Sequence, residues 1–248
     1  MTAIIGLLCN NGVIIGADSS VTFTQGQIRT IEQPCEKLEI IGGRIIIAGS
    51  GQVGLGQRFS AVVEKAQSGK IFDNPAIDVT KTLSRHTLED FAYTYLHPGQ
   101  YSALVAFPCG RKFYLCEFAL QDFQPELKTE KLWYCSMGSS QVITDSFLAL
   151  MRDIFWQGAC PTVQEGVFAV TWTLEHAIDV NPGGVNAPIR IAVLANTQNG
   201  SPSARILDDD ELEEHREHIR YAKNKLREYR QAAKGKAGEN VLDIPRSI

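Results

Sequence analysis

The sequence predicts an α+β protein, a four-layer αββα sandwich in which two antiparallel sheets pack face to face between helix pairs, with one added C-terminal helix. Three observations predict it. Short β-branched runs are joined by turns too tight for a crossover, apolar-periodic stretches arrive in pairs, and further hairpins separate those pairs. A parallel doubly wound sheet would instead alternate strand with helix throughout.

Taken in order, residues 3–9 are apolar and β-branched, Asn10-Asn11-Gly12 is hairpin turn chemistry, and residues 13–18 return as a second strand. Residues 19–33 read as a polar loop. Residues 36–41, the turn Gly42-Gly43 and residues 44–48 form the next hairpin, so four strands precede any helix. Leu55, Phe59, Val62 and Val63 recur at helical spacing within residues 53–66. A second helix starts at Pro75, a favoured first-turn residue, and ends before Pro98. Strands over 101–107 and 112–119, and a further one near 132–135, resume the sheets.

The second helix pair spans 141–156, with Ile143, Phe147, Leu150, Met151 and Ile154 on one face, and 162–178, with Val167, Phe168, Val170, Leu174 and Ile178. Residues 188–194 return as a strand. This core domain occupies residues 1–207. Residues 208–234 form a charged helix, acidic first and basic last, as helix termini prefer. Leu212, Ile219 and Leu226, with His215, Ala222 and Tyr229, trace a narrow seam that rests either on its own domain or on a neighbouring subunit. Residues 235–248 read as a loose tail.

Composition narrows the function. At 248 residues, 44% hydrophobic and 21% charged, the chain is ordinary globular protein, and its net charge of −4 carries no basic excess for nucleic acid. No apolar run approaches the roughly 20 residues a membrane helix needs. The first basic residue is Arg29, so no secretory leader is expected and the cytoplasm is the expected location. Six cysteines form no C-x-x-C pair, and His215 with His218 reads as a solvated helix face, so no metal and no cofactor are expected.

Gly49-x-Gly51-x-x-Gly54, with Asp73 further on, imitates a dinucleotide fingerprint. Its context fails: the following segment, 70–72, is too short and polar for a central parallel strand, and the flanking hairpins demand an antiparallel sheet.

The N-terminus carries different chemistry. Thr2 is small enough for Met1 to be removed, leaving a threonine whose hydroxyl is a nucleophile and whose amine, titrating near 7.7 to 8.0, is a base. Thr2-Ala-Ile-Ile-Gly-Leu-Leu-Cys, Asn11-Gly-Val-Ile-Ile-Gly-Ala-Asp18, Glu36-Lys37-Leu and Ile46-Ile-Ala-Gly49 together resemble the opening of proteasome β subunits and HslV-type proteases, which are N-terminal nucleophile hydrolases. Met137-Gly-Ser139 is similar to the family's Gly-Ser-Gly turn, and Asp179-x-x-Pro-Gly-Gly184 to its Asp-x-x-Ser-Gly-Gly turn. Ser140 and Pro182 depart from those patterns, and Lys37 falls late, after an insertion in the 19–33 loop.

The resemblance covers about residues 2–195. It implies catalysis by Thr2, Asp18, Lys37, Ser139 and Asp179, an oxyanion donor at Gly49, and Ile47 in the substrate pocket, favouring apolar residues before the cut. It also implies a homo-oligomeric double ring of six- or seven-fold symmetry acting on peptides or unfolded proteins, and by analogy an ATP-dependent unfoldase. Physically, a buried Lys37 ammonium favours the developing alkoxide, and Asp18 keeps it charged and oriented. Read singly, Asp18 with Lys37 is an ordinary ion pair, and Ser139 and Asp179 are turn caps. The rival readings are an inactive ring or scaffold subunit and a small-molecule amidohydrolase of the same fold.

Overall fold

The computed structural model describes residues 2–25, 28–96, 99–181 and 184–235. In chain order it holds β1 (Ile4–Cys9), β2 (Gly12–Ala17), β3 (Ser20–Gln25), β4 (Ile28–Pro34), β5 (Leu38–Ile41) and β6 (Ile45–Gly51). Helices α1 (Val53–Ser68) and α2 (Ala76–Tyr93) follow, then β7 (Tyr101–Cys109), β8 (Lys112–Phe118), β9 (Pro125–Leu127) and β10 (Tyr134–Met137). The second helix pair is α3 (Gln141–Met151) and α4 (Val163–Val180), followed by β11 (Arg190–Asn196), β12 (Pro202–Ile206) and α5 (Asp209–Gly235).

Two five-stranded antiparallel sheets result, ordered β10-β1-β2-β11-β12 and β5-β6-β7-β8-β9. Ile4, Ile15, Ile46, Leu104 and Leu115 fill the layer between them and are wholly buried. The outer face of the first sheet packs on α3 and α4, that of the second on α1 and α2. The expected αββα sandwich is therefore the observed fold. Period-two alternation explains it: β6 sends Ile46 and Ala48 to the inter-sheet core and Ile45 and Ile47 to the helices.

Several elements differ from expectation, each for a physical reason. The polar 19–33 loop is an antiparallel arm, β3 paired with β4. Phe23 and Ile31 stay exposed on it, so no buried face wrote an alternating pattern into the sequence. Strands β9 and β12 were also missed, since both are short edges that begin with proline, where that residue is tolerated. Pro75 is the N-cap of α2, not its first turn, and the helix stops at Tyr93 because Tyr95 takes a left-handed conformation. His97 and Pro98 lie outside the described residues.

The predicted 141–156 helix is α3 followed by a π-helical turn over Arg152–Trp156. The extra residue in that turn shifts the helical phase. Before that turn, Thr144, Leu148 and Met151 are the buried positions of α3 and Leu150 of the predicted face is exposed; within it, Ile154 is exposed too. Thr162 caps α4 in a reciprocal box with Glu165.

Helix α5 rests on its own domain along only its first half. Leu212 and Ile219 are buried in the core beneath α4, and Arg216 pairs with Glu175 at 2.7 Å. Further along, Leu226 and Tyr229 of the same seam are exposed. The tail from residue 236 lies outside the described residues.

Candidate active site

β1 and β2 bring Thr2 and Asp18 together because Ile4 pairs with Ala17, so the residues just beyond this register face each other. The Asp18 N–H donates to the Ala3 carbonyl at 3.1 Å, and the Ala3 N–H returns a bond to Asp18 Oδ1 at 2.8 Å. Asp18 Oδ2 accepts from the Ser20 N–H at 3.2 Å. The carboxylate is thus held in place from both sides by backbone donors.

Lys37 enters from the residue before β5. Its Nζ lies 2.6 Å from Asp18 Oδ1 and donates to Thr2 Oγ1 at 3.3 Å, with side-chain exposures of 5% for Lys37 and 0% for Asp18. Burial pulls the Lys37 ammonium below the ordinary lysine range, and Asp18 partly restores it. A lysine so placed both orients the threonine hydroxyl and gives up its proton more readily than a surface lysine.

The other side of Thr2 is the turn after β10. Thr2 N donates to Ser139 Oγ at 3.1 Å, and the Ser140 N–H donates to the Thr2 carbonyl at 3.3 Å. Gly138 has φ +96, and a Cβ there would fall 2.2 Å from the Thr2 carbonyl oxygen, so only glycine permits this approach. Ser140 is wholly buried and accepts from Asn181 Nδ2 at 2.9 Å. The departure from glycine at 140 therefore supplies an anchor. Asn181, at the C-terminal end of α4, was not singled out from the sequence, and no local pattern marks it.

A cavity of ≈ 330 Å³ opens beside Thr2, and Ile47, Gly49, Tyr101 and Glu39 are among the residues lining it. A Cβ on Gly49 would lie 1.9 Å from the Tyr101 hydroxyl oxygen, so glycine is required by this close approach. Tyr101 is buried against Phe59, Phe91 and Phe123, and desolvation raises its hydroxyl pKa. Ile47 and Tyr101 make an apolar floor, while Glu39 adds a carboxylate.

Thr2, Asp18, Lys37 and Ser139 are thus gathered into one site, and Ile47 and Gly49 line the adjoining cavity. Asp179 is not gathered. It is exposed on the last turn of α4, and among the described residues it bonds to neither Thr2 nor Ser139. Pro182 lies outside the described residues. The glycine-rich imitation of a dinucleotide loop is the end of β6, which is antiparallel to both neighbours, and the start of α1, and Asp73 sits in a short 3-10 turn.

A family model described as proteasome subunit matches residues 2–152. The chain belongs to the proteasome subunit family. Among curated proteins, none matches the chain. As a proteasome β-type subunit it is an N-terminal nucleophile hydrolase by family, and membership implies an oligomeric, ring-like complex. The matched segment carries Thr2, Asp18, Lys37, Gly49 and Ser139. Beyond it, β11 completes the first sheet against β2, and the end of α4 supplies Asn181. No helix among the described residues is long and apolar enough to cross a membrane.

Proposed function

We propose that this proteasome-family chain is a threonine-type endopeptidase subunit acting through Thr2 after removal of Met1. The observation that carries the reading is the 3.3 Å contact from Lys37 Nζ to Thr2 Oγ1, with Asp18 behind the lysine. Oγ1 attacks the peptide carbonyl carbon, and the freed amine takes the hydroxyl proton directly or through water. The Gly49 N–H stabilises the oxyanion. The C–N bond then breaks, the leaving amine takes a proton from the Thr2 ammonium, and water hydrolyses the ester to regenerate the hydroxyl.

On this reading residues 1–207 are the catalytic domain, 208–234 an appended helix and 235–248 a tail. The subunits form homo-oligomeric double rings of six- or seven-fold symmetry in the cytoplasm, fed with unfolded protein, by analogy, from an ATP-dependent unfoldase. The test combines N-terminal mass with peptide turnover. A chain lacking Met1 that cleaves peptides, loses turnover in Thr2→Ala and keeps some in Thr2→Ser is the expected result. A retained methionine with no turnover rejects it. The exposed Asp179 favours a second reading, an inactive ring or scaffold subunit, which predicts that negative outcome.

A further inference from the structure

A second concave site lies away from Thr2. Between the π-helical turn, α4 and α5, a cavity of ≈ 320 Å³ is walled by Phe155, Trp156 and Phe168, with Glu165, Glu214 and His215 beside the rings. Phe155 meets Trp156 at 5.6 Å in a tilted arrangement and Phe168 at 5.6 Å edge-on, so the rings stand at angles around the space instead of stacking shut. Among the described residues no lysine or arginine lines it. Burial lowers the His215 pKa, so that wall adds no fixed positive charge. Aromatic faces with carboxylates at their rim recognise an alkylammonium or guanidinium group.

The α5 helix itself offers such a cation. Helical spacing places Glu211, Glu214, His215, His218, Ala222, Lys225 and Tyr229 along one strip. The first half of the strip forms the cage wall. Ala222 still packs on the core and Lys223 lies over Trp172, but beyond them Leu226 and Tyr229 are exposed, and among the described residues Lys225 is held only by Glu228 and Tyr221 of its own helix. Acid in the first half and base in the second make the strip self-complementary when two copies run antiparallel.

We infer that α5 pairs with α5 of a second copy about a two-fold axis near Arg220, seating each Lys225 ammonium in the other copy's cage of Phe155, Trp156 and Phe168 beside Glu214. The Lys225–Glu228 pair is exposed and i,i+3, so it is a weak competitor. Leu226 and Tyr229 are covered in the same contact. This pairing joins copies two at a time and is additional to any ring contacts.

Sedimentation of the full chain over a wide concentration range, in wild type, Lys225→Glu, Glu214→Lys and the double variant, tests it. Both side chains are exposed, so folding is checked by circular dichroism and expected to be unchanged. Each single variant should weaken the pairwise step about tenfold or more, and the double variant, which keeps the Lys–Glu attraction but loses the cation from the aromatic cage, should recover part of that loss instead of adding the two. No contact lacking these two side chains produces that rescue. Unchanged association in both single variants overturns the inference, and so does a double variant in which the two losses add.

Discussion

Replacing Lys37 by methionine removes the only cation within 4 Å of Asp18 among the described residues, and the Asp18 side chain is wholly buried. Orphaning one member of a buried pair costs about 3–5 kcal/mol. The Ala3 and Ser20 N–H groups stay bonded to the carboxylate, which places Lys37→Met at the low end, about 3 kcal/mol. Asp18→Asn is milder. Its orphan is an ammonium that burial already weakens and that sheds its proton instead of remaining charged, so the cost is about 1–3 kcal/mol, mostly the mismatched amide. The double variant buries neither charge and should be more stable than the sum of the singles implies by about 1–3 kcal/mol. Urea unfolding at one fixed protein concentration reads all four, with an unchanged slope on denaturant as the check that the transition is the same. Additive losses, or a Lys37→Met variant within about 0.5 kcal/mol of wild type, would refute the placement of this pair at the base of the site.

Four further predictions follow from the geometry. Gly49→Ala drives a methyl into the Tyr101 hydroxyl, so peptide turnover should fall by about tenfold or more while stability drops about 1–3 kcal/mol; normal kinetics would contradict the close approach. Asn181→Ala leaves the buried Ser140 hydroxyl without its donor and should cost about 1–3 kcal/mol, read by thermal unfolding. Phe59→Ala, in the ring cluster under Tyr101, should cost about 3–5 kcal/mol. Turnover should rise as the Thr2 amine loses its proton, then fall as Lys37 loses its own below the ordinary lysine range. For stability the sign is opposite to that falling limb. The folded state binds fewer protons at Lys37 than the unfolded chain between the two pKa values, so this group's contribution rises with pH through that window and is lost as pH falls through the folded value.

Much of the layer order was legible because local signals and tertiary burial agree. Asn10-Asn11 and Gly42-Gly43 close the hairpins, and Leu55, Phe59 and Val63 line one helical face that is buried. Where no face is buried the pattern vanished, as in the β3–β4 arm with Phe23 and Ile31 in solvent. In α3 the buried positions are Thr144, Leu148 and Met151, one step round from most of the apolar residues that imply a face, and the π-turn over Arg152–Trp156 ends the regular spacing after them.

The site divides similarly. Asp18 and Lys37 were found through their resemblance to a family pattern, since an acid and a lysine 19 residues apart carry no signal by themselves. Ser140 looked like a defect in a glycine turn. Its role depends on Asn181, 41 residues away on another helix, which no local reading connects. Asp179 matched a motif by spacing, yet α4 runs on to Val180 and leaves it on an exposed final turn. Likewise the α5 seam is continuous in sequence, but α4 supports only the part around Leu212 and Ile219.

The most direct test of Thr2 as nucleophile is covalent capture by a peptide electrophile, located by tandem mass spectrometry. One adduct on Thr2, at the first position of a chain without Met1 and abolished in Lys37→Met, is the predicted result. An adduct on Cys35 alone, which lines the same cavity, or no adduct at all, would contradict it.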